Sequence, residues 1–159
     1  MSTNNVHDAH IIASLPALHR AMMELVSEMN RPERDAQMLE MAGLTLERAL
    51  FPLLVAIERL GPIGVVELAG RAGRDYTTVS RQVARLEELG LVSRQANATD
   101  RRVREAVITP LGKTSTDAID RARERSALAL FGEWSRHDFD ELVRLFGKLA
   151  DGLAESAEG

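Results

Sequence analysis

The stretch from Gly64 to Ile108 constrains the fold most, because it places two short helices directly before two short strands. Apolar residues recur at helical spacing over Gly64–Ala72 and again over Tyr76–Leu89, and Gly73 marks a tight turn between the two. The strands are predicted over Leu91–Ala96 and Val103–Ile108, with a polar turn between them. Two helices joined by a short turn and followed by a hairpin predict a winged helix-turn-helix.

Both ends of the second helix carry terminal signals. Asp75 fits the N-cap position, where its carboxylate accepts from the amides of the first turn and favours the positive helix end. Gly90 suits the left-handed position after the helix, and Leu91 then packs on Leu86. The predicted buried stripe of this helix consists of Val79, Val83 and Leu86.

The N-terminal part of the chain is predicted to be helical. Apolar side chains that step by four and three form a stripe at coiled-coil spacing, which consists of Ile11, Leu15, Leu18, Met22, Leu25 and Met29. Pro16 interrupts the stripe, so the helix either begins near Ser14 or bends at Pro16. The polar residues 1–8 are expected to be frayed. A shorter helix over Pro32–Met41 follows, and Gly43 ends it.

Three more helices complete a fold class that is mainly α with a small β-hairpin wing. Thr45 is expected to cap a helix over Leu46–Leu60, with a kink at Pro52. A long and mostly polar helix over Leu111–Trp134 follows the hairpin. Asp138 is expected to cap the last helix, whose apolar stripe consists of Phe139, Leu142, Phe146, Leu149 and Leu153.

The composition excludes several chemistries. The chain has no cysteine, which excludes disulfides, thiolate zinc sites, cysteine nucleophiles and thiol-based peroxide sensing. No phosphate-binding glycine loop or nucleophile elbow is present, so no cofactor is expected. His7 and His10 have a spacing that could begin a zinc site with Asp8 or Glu24, but no third ligand is evident and no metal is expected.

The longest apolar run is Ala49–Ile57, nine residues, which is short of the ~20 that a membrane helix needs. The first basic residue is Arg20, so the charged start of a secretory signal is missing and a cytoplasmic location is expected. The methionines at 22, 23, 29, 38 and 41 either fill a core or form a deformable pocket wall.

The net charge of −4 hides an uneven distribution. Residues 70–113 contain nine basic and five acidic side chains, a net +4, so the rest of the chain carries −8. A basic middle between acidic ends indicates a local anionic partner, although charge also varies by chance along any chain.

The outer face of the second helix carries short hydroxyls and guanidiniums, while its acidic residues, Glu87 and Glu88, lie away from the presumed DNA end. Arginine binds guanine through two hydrogen bonds, and threonine or serine bonds phosphates or touches a thymine methyl. The predicted DNA contacts are Tyr76, Thr77, Thr78, Ser80, Arg81, Arg85, Arg101 and Arg102. An ordinary solvated helix face is the alternative interpretation.

The hairpin tip is predicted to be the second DNA element. Arg102 is expected to enter the minor groove, while Asp100 braces a basic side chain such as Arg94. A polar turn with an internal Asp–Arg pair is the alternative, and the two interpretations are compatible.

The residues from Leu68 to Val92, with Asp100-Arg-Arg and Ile108-Thr-Pro-Leu-Gly112, resemble the MarR (multiple antibiotic resistance regulator) family. The resemblance is strongest over residues 61–113 and extends over about 14–155. It implies a homodimer of winged-helix protomers, with Tyr76–Leu89 as the recognition helix and Arg102 as the wing arginine. The segment Pro32–Gly43 looks longer than the usual link between the first two helices of the family.

The terminal stripes indicate a dimer independently, because a monomer would expose them and a twofold partner would cover them. The alternative is that both ends cap the core of a single monomer. The expected interface residues are Leu15, Leu18, Met22, Phe139, Leu142, Phe146 and Leu149. Residues 9–45 and 112–156 are accordingly assigned to a helical dimerisation region, and residues 46–111 to the DNA-binding domain.

The expected function is a homodimeric transcription regulator, more often a repressor, on a pseudo-palindromic operator whose half-sites lie roughly 34 Å apart. The resemblance implies release by a small, often aromatic or phenolic, ligand bound between the dimerisation and DNA-binding parts. One alternative is a winged-helix protein-interaction module without DNA binding. An enzyme is the other alternative, and no convergent polar signature supports it.

Overall fold

The computed structural model describes residues 3–158 and confirms a mainly helical chain with a small sheet. Two helices begin the described part, α1 (Thr3–Met29) and α2 (Pro32–Met41), and a 3₁₀ turn (Arg48–Leu50) leads into α3 (Phe51–Leu60). The next elements are β1 (Ile63–Gly64), α4 (Val65–Ala72), α5 (Tyr76–Glu88), β2 (Val92–Ala96) and β3 (Arg104–Ile108). The last two helices are α6 (Pro110–Phe131) and α7 (Arg136–Glu158).

The chain divides into two compact units, one up to Ile119 and the other from Asp120 onward, so the boundary falls within α6. The first unit contains the helix-turn-helix and the sheet, and the second contains the end of α6 and all of α7. The functional division at residues 46 and 111 stays a prediction.

The sheet is antiparallel, with β3 between β1 and β2. The hairpin pairs Val92 with Ile108 at its base and Ala96 with Arg104 near its tip. Strand β1 pairs Ile63 with Ala106, which brings the start of α4 to the sheet. This strand was not predicted, because two residues are too few to show a strand period.

The core of the first unit joins α3, α4, α5 and the sheet. Leu54 and Ile57 of α3, Leu68 of α4 and Val83 of α5 are all 0% exposed. The stripe predicted for α5 is confirmed, since Val79, Val83 and Leu86 are fully buried. Burial of that stripe turns the opposite side of α5 outward.

The predicted end signals of α5 are also confirmed. The Asp75 Oδ1 accepts from the amide of Thr78 at 2.8 Å. Gly90 has a φ of +74°, and the amide of Leu91 donates to the carbonyl of Leu86 at 3.0 Å, as in a Schellman motif. These two ends fix where the helix begins and ends, and therefore which residues occupy its first turn.

Several predicted helix ends were wrong. Helix α1 is already formed at Thr3, so it does not begin near Ser14, and Pro16 lies inside it. Residues 3–8 belong to α1 and residues 1 and 2 lie outside the described part, while the expected fraying of this end stays a prediction. No kinked helix runs over Leu46–Leu60, because α3 begins at Phe51 and Pro52 lies in its first turn, where no amide donor is needed.

The cap of the last helix was also assigned wrongly. The Ser135 hydroxyl accepts from the Asp138 amide at 3.0 Å, so Ser135 caps α7 and Asp138 lies in its first turn. Thr45 caps no helix, since the 3₁₀ turn follows Glu47 without a side-chain cap.

A tight junction joins the end of α5, the sheet and the start of α6. The Thr109 hydroxyl donates to the carbonyl of Gly90 at 2.6 Å and accepts from the amide of Gly112 at 3.0 Å. A side chain at position 112 would collide with the carbonyl oxygen of Leu91. Only glycine therefore allows α6 to approach β2 this closely.

Candidate nucleic-acid interface

The outer face of α5 presents the residues that the sequence assigned to DNA contact. Tyr76, at the start of the helix, is 56% exposed, Thr77, Arg81 and Arg85 are exposed, and Thr78 and Ser80 are half-buried. A groove of about 290 Å³ runs along this face and is lined by Glu47, Ala49, Leu50, Thr78, Arg81, Gln82 and Arg85. The fold thus places Arg81 and Arg85 on one side of the helix, in a groove that also contains apolar side chains and the carboxylate of Glu47.

The two arginines of this face have different surroundings. Arg81 forms no hydrogen bond or ion pair with any residue of the described range 3–158. The Arg85 Nε donates to Glu47 at 3.0 Å, and one of its terminal nitrogens donates to Glu88 at 3.2 Å. The hydrogen bond to Glu47 is the main reason that the pKa of Arg85 is raised, and the bond to Glu88 adds to it.

Glu87 and Glu88 were predicted to lie away from the DNA end of α5, and that stays a prediction; the contact of Glu88 with Arg85, one turn away, was not predicted. Glu47 was missed altogether, because it lies 38 residues from Arg85 and no local pattern connects them.

Arg74 fixes the turn before α5. One of its terminal nitrogens donates at 3.0 Å to the carbonyl of Ala49 and also, at 3.0 Å, to the side-chain oxygen of Gln82. Together with the left-handed Gly73, which ends α4 at φ +62°, these bonds set the direction in which α5 leaves the turn. The sequence predicted a turn at Gly73 and Arg74 but not the bonds of Arg74 to Ala49 and Gln82.

The hairpin tip is built on side-chain bonds to backbone amides. The Asn97 side-chain oxygen accepts from the amides of Thr99 and Asp100, at 2.7 and 2.9 Å. The Asp100 carboxylate in turn accepts from the amide of Arg102 at 3.0 Å. The side chains of Arg101 and Arg102 are exposed at the end of this ordered turn.

The predicted bracing of Arg94 by Asp100 is wrong. Arg94 lies in the middle of the hairpin ladder, opposite Ala106, whereas Asp100 is at the tip. The Arg94 Nε is 3.1 Å from a carboxylate oxygen of Glu87, without hydrogen-bond geometry. Asp100 therefore stabilises the tip through the backbone, and Arg94 links β2 to the end of α5.

A separate cleft of about 180 Å³ opens at the other end of α5. Its wall is mostly apolar and is lined by Leu44, Thr45, Leu46, Leu89, Leu91 and Ser115. The Ser115 hydroxyl donates to the carbonyl of Leu111 at 3.2 Å, which leaves its oxygen able to accept a further hydrogen bond. The cleft lies between the helix-turn-helix and the first turns of α6.

The residues predicted for a dimer interface form apolar surfaces on two helices. On α1, Leu15 and Leu18 are 52% and 50% exposed, and Met22 is also exposed. On α7, Phe139, Phe146 and Leu149 are exposed, and Leu142 is half-buried. The Phe139 ring contacts Phe131 edge to face, with the ring centres 5.1 Å apart.

Among residues 3–158, no three histidine, aspartate or glutamate side chains come together as a metal site would require, and His7 and His10 form no such group. Within the same range, no helix has both the length and the apolar character to span a membrane.

Comparisons with known proteins identify the family. The MarR family model matches residues 46–103, which contain the helix-turn-helix and most of the hairpin. The uncharacterized HTH-type transcriptional regulator YxaD of Bacillus subtilis is 36% identical over 106 residues, which are 65% of this chain and 74% of YxaD. The chain belongs to the MarR family. This MarR-family protein is a DNA-binding transcription regulator and not an enzyme.

Solved structures agree on the fold of this MarR-family chain. A MarR family protein from Bacillus stearothermophilus has a TM-score of 0.71 at 20% identity, with 92% of this chain and 97% of that chain covered. The crystal structure of MarR gives a TM-score of 0.63 at 26% identity, with 87% of this chain and 89% of that chain covered. The likeness extends well beyond the helix-turn-helix and includes most of both chains.

Proposed function

We propose that this MarR-family regulator binds a pseudo-palindromic operator as a homodimer, represses transcription there, and is released by a small aromatic ligand. The observation that carries the proposal is the outer face of α5, where the exposed Arg81 forms no hydrogen bond or ion pair with any of residues 3–158. An α-helix fits the major groove of B-DNA, and a free guanidinium can bond both acceptors of a guanine edge. Tyr76 at the start of the same helix suits a phosphate contact, whereas the hydroxyl of Thr78 donates to the Asp75 carboxylate at 2.6 Å and must leave it to reach a phosphate.

The wing supplies the second contact. The ordered turn at Asp100 presents the exposed side chains of Arg101 and Arg102 at the tip of the hairpin. A narrow minor groove has an enhanced negative potential, which attracts an inserted arginine. Because the turn is already ordered, this contact requires little further loss of backbone entropy.

The exposed apolar faces of α1 and α7 support the homodimer. Soluble monomers rarely leave a large contiguous apolar surface in water, and a twofold partner would cover these helices with the same residues of a second copy. Two copies would present two recognition helices to successive major grooves on one side of the DNA, which is why we propose a pseudo-palindromic operator.

The cleft beside Leu89 and Leu91 supports a ligand of one aromatic ring. An apolar cavity of about 150 Å³ accommodates benzene, and this cleft of about 180 Å³ is similar in size. Thr45 and Ser115 would supply a hydrogen bond to a phenolic hydroxyl. Release from the operator requires that the ligand favour a conformation that fits the DNA less well, by a few kcal/mol. A cytoplasmic location is consistent with this function and is part of the proposal.

The experiment begins with selection of duplexes from a random library by the wild-type protein, followed by anisotropy titrations on the selected duplex and on a scrambled one. We expect Arg81→Ala to weaken binding to the selected duplex by about 1–3 kcal/mol and binding to scrambled DNA by less. Arg102→Ala should weaken binding while thermal unfolding stays unchanged. Arg144→Ala, a matched removal of an arginine on α7, should bind like the wild type.

If the wild-type protein enriches no DNA sequence from the library, the proposal is overturned and a protein-interaction module is favoured. Equal losses on both duplexes for Arg81→Ala would reduce Arg81 to a phosphate contact. An operator affinity of Arg102→Ala within error of the wild type would remove the wing from the interface.

A further inference from the structure

Glu47 lies at the edge of the groove that the proposed function assigns to DNA, and it holds one of the two arginines there. The Glu47 carboxylate accepts from the Nε of Arg85 at 3.0 Å, and it lines the same groove as Thr78 and Arg81. Glu47 is not part of α5; it precedes the 3₁₀ turn that leads into α3. The fold therefore brings a carboxylate from elsewhere in the chain to the recognition helix.

The two arginines differ in their bonding, although they lie one helical turn apart on the same face of α5. Arg81 forms no hydrogen bond or ion pair within residues 3–158, so its guanidinium can bind DNA of any sequence without first leaving a partner. Arg85 already has two carboxylates against its guanidinium, Glu47 and Glu88. A phosphate or a base can bond Arg85 only by displacing them, and it must do so next to two negative charges.

The exchange is feasible because the pair is open to solvent. The side chains of Arg85 and Glu47 are 47% and 60% exposed, and surface ion pairs of this kind are weak. A guanine edge that offers two acceptors in the right place can replace the carboxylate of Glu47. The phosphates of unmatched DNA attract the guanidinium of Arg85 without offering it a base acceptor. The negative charges of Glu47 and Glu88 repel the same phosphates and weaken this attraction.

We propose that Glu47 is a specificity-determining residue. Its carboxylate keeps Arg85 bound on unmatched DNA, and Arg85 exchanges this partner for a base only where the operator offers an acceptor near the C-terminal end of α5. The proposal rests on the proposed function, in that the outer face of α5 must contact DNA. It predicts that Glu47 lowers the affinity for random DNA more than the affinity for the operator.

The test compares the wild type with Glu47→Gln, which keeps the size of the side chain and removes its charge. Dissociation constants are measured by anisotropy on the selected and scrambled duplexes over a series of KCl concentrations. We expect Glu47→Gln to bind scrambled DNA roughly three- to fivefold tighter, the range of a surface ion pair, and the selected duplex less than twofold tighter. The slope of log Kd against log [KCl] on scrambled DNA should steepen by about 0.9, which corresponds to one added phosphate contact.

Two further variants isolate the cause. Glu141→Gln removes one negative charge from an ion pair with Arg144 on α7, so it matches the change in net charge away from α5 and should leave the ratio of affinities unchanged. In an Arg85→Ala background, Glu47→Gln should lose most of its effect, because no arginine is left to release. Circular dichroism of each variant checks that the fold is retained.

Equal tightening on both duplexes, or an undiminished effect without Arg85, would show that Glu47 acts only as a general negative charge and would overturn the proposal. Unchanged affinities in Glu47→Gln would overturn it as well. These failures differ from failure of the proposed function, in which the wild-type protein itself would not distinguish the selected duplex from the scrambled one.

Discussion

The winged helix-turn-helix and the terminal helices carry the same kind of apolar stripe, but they bury it to very different degrees. Leu54, Ile57 and Val83 of the helix-turn-helix are 0% exposed, since neighbouring elements of the same chain cover them. Leu18 on α1 and Phe146 on α7 occupy equally regular stripes and are each 50% exposed. A repeat of three and four residues therefore identifies the apolar face of a helix without telling what covers that face.

The largest expected effect tests the buried half of this comparison. Leu54→Ala should lower the free energy of unfolding by about 2–5 kcal/mol, because it removes buried contacts and leaves a cavity in a fully packed site. Urea denaturation at one fixed protein concentration measures this difference. Val66→Ala on α4, where the side chain is 75% exposed, is the control and should change stability by no more than about 0.5 kcal/mol. Similar losses in both variants would contradict the contrast in packing.

The second effect tests the exposed half. Phe146→Asp should raise the dissociation constant of the proposed dimer by more than about tenfold, because the interface would have to bury an unpaired carboxylate. Sedimentation equilibrium over a range of concentrations measures the change. Val66→Asp places the same charge on an exposed site outside the predicted interface and should associate like the wild type. If the wild-type chain sediments as a monomer, the alternative is favoured, in which the terminal helices cap the core of a single subunit.

The smallest effect concerns the cap of the recognition helix. The hydrogen bond from the Thr78 hydroxyl is the main reason that the pKa of Asp75 lies below its ordinary 3.8, and the bond from the Thr78 amide adds to it. A carboxyl whose folded pKa is lowered stabilises the fold above its unfolded pKa, and this contribution disappears as the pH falls through the folded value. Asp75→Asn should therefore be slightly less stable than the wild type at pH 7, and the difference should shrink at pH 3.

Urea denaturation of both proteins at the two pH values provides the measurement. A difference that stays constant between pH 7 and pH 3 would mean that the charge of Asp75 contributes nothing to the cap.

Local sequence was sufficient where local bonds decide the structure. The cap at Asp75, the left-handed Gly90 and the buried stripe of α5 depend on residues within a few positions of one another, and all were predicted. The hairpin was predicted for the same reason, since a turn at residues 97–100 lies between two short stretches, the second of which is rich in β-branched residues. The fold class and the family followed from these elements.

Features that depend on distant pairing were not predictable. Strand β1 exists only because Ile63 meets Ala106 across the sheet. Glu47 meets Arg85 only because the segment before α3 folds back along α5. Arg94 lies beside Glu87 rather than Asp100, because the register of the hairpin places Arg94 in the middle of the ladder, away from the tip. In each case the partner is set by tertiary structure, which a reading of neighbouring residues does not contain.

The junction at Thr109 has a mechanical consequence. Its hydroxyl bonds the residue that ends the recognition helix and the first turn of α6, while its amide donates to Leu91 at 3.1 Å just before the wing strand. Because position 112 is glycine, the backbone of α6 lies directly against the carbonyl of Leu91, with no side chain between them. A rotation of the start of α6 would therefore move the end of α5 and the base of the hairpin together, and in the proposed DNA complex both elements would shift against the DNA at once.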